Sequence, residues 1–208
     1  MKSGPNRKGM RWWLGFIVGI LASFMLFKVL NLAENKHWSA FARSQDDSSA
    51  SAKVFLRASR VLLHPRCLNC HPEGDHPLVG DRGRPHPMGI ERGPDGMGAG
   101  GLQCSGCHQE KNQPGEHSPP GAPEWHLPTK KMPMVFQNRK PRQICVQLKD
   151  PEQNGGRNLD QILEHVREAP IVLWGWTPGE GRTPVDMSHE EFVQAMTEWV
   201  AKGAACPE

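Results

Sequence analysis

Cys67-Leu68-Asn69-Cys70-His71 and Cys104-Ser105-Gly106-Cys107-His108 decide how this chain is read. Each is a Cys-x-x-Cys-His pentapeptide, the signature of covalent haem c attachment. Two thiols with two residues between them reach the two vinyl groups on one edge of the macrocycle, and the histidine that follows falls beneath the iron as its proximal ligand. The motifs use four of the six cysteines, and 32 residues separate His71 from Cys104. A zinc ribbon places roughly 15–20 residues between its knuckles and needs no histidine after each. A thioredoxin-like pair wants a βαβ context, which these Gly- and Pro-rich surroundings lack. The sequence therefore predicts two haem c groups, attached through Cys67, Cys70, Cys104 and Cys107, with His71 and His108 as proximal ligands.

The 22 glycines and 19 prolines among 208 residues make the chain loop-rich, yet it is neither repetitive nor charged enough to be disordered. Irregular backbone on that scale needs a further source of cohesion, and two large apolar rings in the interior supply one. The interval between the motifs is too short for two haem domains in tandem, so both groups share one small domain. The formal charge of +3 misleads, because six of the 25 basic residues precede Ala40 and the remaining 19 face 21 acidic ones. No basic surface is left for nucleic acid, and that class of partner is excluded.

Trp12 to Leu32 is apolar and of the length that crosses a bilayer core, with Lys28 near its far end. Lys2, Arg7, Lys8 and Arg11 before it place the N-terminus in the cytoplasm. A cleaved signal peptide fits less well, since Asn31-Leu32-Ala33 is no small-x-small site. The expected organisation is a cytoplasmic tail over 1–11, a transmembrane anchor over 12–33, a polar tether over 34–52 and a periplasmic domain over 53–208. Within that domain the haem-binding part is 53–136 and the helical part 137–208. The expected fold class is mainly α with extensive irregular loops: a compact dihaem cytochrome c domain on a single N-terminal transmembrane helix, placed at a bacterial inner membrane.

Val54, Ala58, Val61 and Leu62 recur at helical spacing and stop at Pro65, just before the first motif. Residues 72–101 show almost no periodicity. Pro141 suits the first turn of a helix through Lys149 bearing Ile144 and Leu148. Asn158 caps a helix striped by Leu159, Ile162, Leu163 and Val166 that ends before Pro170. Ser188 and Glu191 form a capping box for a last helix carrying Phe192, Val193, Met196 and Val200. Ile171 to Trp176 reads as a buried connection or a lone strand, and no sheet is expected. The two cysteines outside the motifs, Cys145 and Cys206, are expected to form a disulfide.

Distal iron ligands are less determined. His76, His86, Met88, Met97, His117, His126, Met132 and Met134 lie between or just after the motifs. For the first haem, His86 or Met88 is preferred, because prolines flank the residues of Pro85-His86-Pro87-Met88. For the second, Met132 or Met134 is preferred over His126. His165 and His189 read as helix-surface residues, and Trp125, Trp174 and Trp176 as packing.

The two pentapeptides resemble those of c-type cytochromes in general. A narrower resemblance covers most of the chain beyond residue 64: PRCLNCHPEGDHPL, PHPM, GLQCSGCHQEKN, PMVF, QLKDPEQNGGR and LWGW are similar to a proteobacterial family of cytochrome subunits labelled as a subunit of isoquinoline 1-oxidoreductase. That resemblance implies an electron-accepting partner of a dehydrogenase. The expected function is single-electron transfer rather than catalysis, between a dehydrogenase or quinol-oxidising complex and a later acceptor such as a terminal oxidase. The alternative is a dihaem enzyme of peroxidase type, or a haem-based sensor, with an open iron position.

Overall fold

The computed structural model describes residues 36, 43 and 45–208. The chain divides into two units, 1–46 and 47–208, and the architecture below is that of the second. The fold class expected from the sequence is corrected. No helix among the described residues is long and apolar enough to cross a membrane. The span expected over 12–33 and the tail over 1–11 lie outside the described residues. Sheet is also present where none was expected.

Helix α1 occupies 47–62, and its residues 47–52 replace the later part of the expected tether. The reason is Ser51: its side chain is fully buried, its hydroxyl donates to the Trp199 carbonyl at 3.0 Å and accepts from the Ala205 amide. A small polar residue lets this end of the helix approach the C-terminal segment closely. Pro65 does not simply end α1. It opens α2 (Pro65–Leu68), a single turn whose start is capped by the His64 ring, accepting from the Arg66 amide at 3.2 Å. The first motif therefore begins on a helical turn.

Between the motifs the chain forms two small antiparallel pairs, β1 (Leu78–Val79) with β2 (Arg84–Pro85) and β3 (Gly98–Ala99) with β4 (Leu102–Gln103). Two-residue strands carry no readable alternation, which is why the sequence concealed them. Gly96 permits a close crossing: with φ +87, a Cβ there would stand 2.0 Å from the Leu127 carbonyl oxygen.

The later helices follow their local signals. α3 (Pro141–Lys149) starts at its proline. α4 (Leu159–Glu168) and α6 (His189–Ala201) open on capping boxes from Asn158 with Gln161 and from Ser188 with Glu191. Pro170–Leu173 (α5) and Trp174–Trp176 are helical turns, not a strand. One apolar core joins Phe55 and Val61 of α1 to Ile144, Val166, Phe192 and Trp199, so the expected halves 53–136 and 137–208 share a single interior. Burial of such faces at roughly 25 cal/mol per Å² supplies most of their stability.

Cys145 and Cys206 are disulfide-bonded, with Cα atoms 5.6 Å apart. The bond closes a loop with a sequence separation of 61 residues, tying the C-terminal segment to α3. The Cys145→Ala/Cys206→Ala double variant is expected to lose about 4 kcal/mol of unfolding free energy, the chain-entropy value for such a loop. Urea unfolding of the two proteins measures it.

Candidate functional site

The two motif histidines are built alike. His71 follows the α2 turn, and its Nδ1 lies 2.7 Å from the Met134 carbonyl oxygen. Its ring stacks on Phe136, centroids 4.1 Å apart and planes 16° apart. His108 follows a 3-10 turn over Cys104–Gly106; its Nδ1 lies 2.7 Å from the Pro120 carbonyl oxygen, and its ring stacks on Trp125 at 4.5 Å and 3°. A carbonyl can only accept, so in both rings Nδ1 carries the proton and Nε2 is left as the free lone pair. Second partners of this kind orient an imidazole that binds a metal.

Cys67, Cys70 and His71 line a cavity of about 430 Å³. Its wall is mostly apolar, including Val61, Leu62, Phe136, Ile162 and Trp176. Arg66 stands in the same wall with its side chain 1% exposed, one Nη on Asp81 at 2.5 Å and its Nε without a hydrogen-bond partner. An apolar slot with two thiols, an oriented imidazole and an unsatisfied guanidinium N–H suits a large flat apolar ligand that carries carboxylates and an iron. The chemistry of haem c fits this donor set. Desolvation pushes the Cys67 thiol up to about 12 and the Cys70 thiol up to about 11. Among the described residues no three His, Cys, Asp or Glu side chains converge as a metal-binding group. Cys67, Cys70, Cys104 and Cys107 are all free thiols.

The two motifs approach each other, for Cys70 is within electrostatic reach of Cys104. Their surroundings differ, since Cys104 is buried and Cys107 exposed.

The distal candidates are distributed differently from the sequence expectation. His86, preferred for the first haem, stands beside the second histidine, its ring centre 6.1 Å from that of His108. Its Nδ1 is 2.8 Å from the Pro87 carbonyl, again freeing Nε2. Met88 is 70% exposed, in the left-handed region at φ 66, and is not in the wall of the cavity. Conversely, Met132 and Met134, preferred for the second haem, and His126, the less favoured candidate there, line the cavity beside His71. Met134 already supplies the carbonyl behind His71 and does so from a strained backbone, φ 45. His76 and His117 are exposed.

Three residues carry more than the sequence reading gave them. His165 lines the cavity with His71, and burial pushes both rings down to about 4, keeping them neutral at pH 7. His189 donates from Nε2 to the Val166 carbonyl, 2.9 Å away, and packs edge-on against Trp176. Trp174 packs edge-on against Trp125 and donates to the Asn112 side chain at 2.9 Å, behind His108. The readable signal for His165 was its place three residues after Ile162, at the rim of the apolar stripe.

Asp81 joins the first site to the 183 region. It accepts from Arg66, from the Thr183 hydroxyl at 2.6 Å and from the Thr183 amide at 3.2 Å. The Thr183 bonds and then Arg66 hold its carboxyl below the usual range. A depressed folded pKa means that this stabilisation is present above the unfolded value near 4 and is lost as pH falls through the folded one. Asp81→Asn is expected to be about 1–3 kcal/mol less stable at pH 7, a buried-pair loss reduced by solvent screening, and closer to wild type near pH 3. Urea unfolding at the two pH values checks the difference.

No protein-family model, curated protein or solved structure matches this chain.

Proposed function

We propose that the chain is a dihaem electron-transfer protein, with one haem c on Cys67 and Cys70 under His71 and a second on Cys104 and Cys107 under His108. The observation that carries this reading is the repeated geometry of the two motif histidines. Each has Nδ1 held by a backbone carbonyl and its ring held by an aromatic face. A proximal haem ligand needs that orientation; a redox dithiol does not use it. When bound, the haems supply reversible one-electron exchange at iron.

The chain does the rest. With a haem bound, His86 and His108 would be the two imidazoles that hold the second iron. Two imidazoles on opposite sides of one iron have ring centres roughly 6 Å apart, since each metal–nitrogen bond is about 2 Å and each ring centre lies about 1 Å beyond; the observed 6.1 Å suits this. Arg66 offers its unsatisfied N–H to a propionate. Trp125 and Phe136 fix the proximal rings, and the apolar wall excludes water, which tunes the potential. The disulfide between Cys145 and Cys206 fits work in an oxidising compartment outside the cytoplasm. In line with the family resemblance, the partners are a dehydrogenase or quinol oxidiser on one side and a later acceptor on the other.

Intact mass of the protein produced with a haem c maturation system is expected to show two covalent haems, and one after Cys67→Ala/Cys70→Ala. An unmodified wild-type mass removes the reading. Low-temperature EPR of the oxidised form is expected to give low-spin signals only, with no carbon monoxide uptake on reduction. A high-spin iron that takes up carbon monoxide favours instead an enzyme or sensor with an open position.

A further inference from the structure

The first iron has a proximal ligand in His71, and the cavity wall holds five other side chains able to coordinate it: His126, Met132, Met134, His165 and Met196. We propose that His165, on α4, is the second axial ligand of the iron held by His71, so that this iron too has two imidazoles. The proposal rests on the haem reading of the first motif.

Three observations single out His165. It shares the cavity with Cys67, Cys70 and His71, flanked on the same helix face by Ile162 and Val166. It is half-buried, and neither ring nitrogen has a hydrogen-bond partner among the described residues, so either is open to a ligand. A metal bond can be made at one of these nitrogens without displacing a protein partner. Its helix is also fixed at both ends. The Asn158–Gln161 capping box holds the start, and the His189 ring engages the Val166 carbonyl one residue beyond His165. A ligand carried on a pinned helix keeps its position when the iron changes charge, which a loop residue does not.

The rivals have other tasks. The Met134 carbonyl stands on the Nδ1 side of His71, the side away from the iron. Met196 is fully buried in the core that joins α6 to α1 and α4. His126 and Met132 lie on the irregular stretch before Met134.

The test uses the full-length holoprotein, with haem content read by intact mass in every sample. Wild type is expected to be low-spin at both irons and to bind no carbon monoxide. His165→Ala is expected to keep two haems, turn one iron high-spin and bind one carbon monoxide per chain, and added imidazole returns it to low spin. His165→Met, which keeps a ligand and helix packing, is expected to stay low-spin while one reduction potential rises, as Met/His ligation does. His126→Ala is expected to keep the wild-type spectrum. The proposal is overturned if His165→Ala leaves both irons low-spin and inert to carbon monoxide, or if His126→Ala opens the iron instead. A sulfur-to-iron charge-transfer band in oxidised wild type would also overturn it, pointing to a methionine. Absence of haem on Cys67 and Cys70 overturns the underlying reading as well, and the mass reports that outcome separately.

Discussion

Arg92 is fully buried, and its guanidinium is gripped by the Gly74 carbonyl at 2.8 Å, the Pro128 carbonyl at 3.0 Å and the Pro133 carbonyl at 3.3 Å. Asp75 adds an ion pair at 3.5 Å from Nε, a distance that leaves that N–H without a hydrogen bond. An unpaired cation so placed would be very costly, and several oriented carbonyls with one carboxylate offset that cost. Lys130 reaches the same carboxylate at 2.5 Å. Through this knot the chain just after His71 is joined to the stretch that ends at Met134. The carbonyl behind His71 owes its place to a residue of the loop between the two motifs.

The helical third was legible because its signals are local. Pro141, Asn158 and Ser188 start helices α3, α4 and α6 within a residue of where the side-chain chemistry puts them. The loops were not legible, since Arg92 and Asp81 act through partners distant in the chain, and neither composition nor period records a carbonyl count. Order along the chain also misled the assignment of distal residues. The hairpin of β1 and β2 leads His86 back toward the second motif, and the segment after Trp125 returns to the first. His165 looked like a surface residue because a half-turn at a stripe's edge reads as polar flank; only the cavity reveals what it faces. The polar run around Ser51 read as a tether, yet one of its hydroxyls bridges α1 to the C-terminal segment.

The two sites differ in how they are enclosed. The first lies against the core shared by α1, α4 and α6, with Arg66 closing part of its wall and stacking 5.8 Å from the Trp174 ring. The second is made of loops, with an exposed cysteine and an edge-on aromatic pair, Trp125 and Trp174, behind it. On the proposed reading one haem is sheltered and the other stands nearer the solvent. Desolvation and ligand set are the levers that separate two potentials in one small domain.

The raised thiols of the first motif bear on the order of assembly. Six cysteines can pair in 15 ways, and an oxidising compartment presses on all of them. A thiol held near 12 or 11 is almost wholly protonated at neutral pH, so in the folded chain Cys67 and Cys70 are slow in thiol–disulfide exchange. On the haem reading, thioether formation therefore belongs to the open, newly exported chain, and closure of Cys145 on Cys206, near the C-terminal end, comes after it. Folding then seals a product it could not itself make.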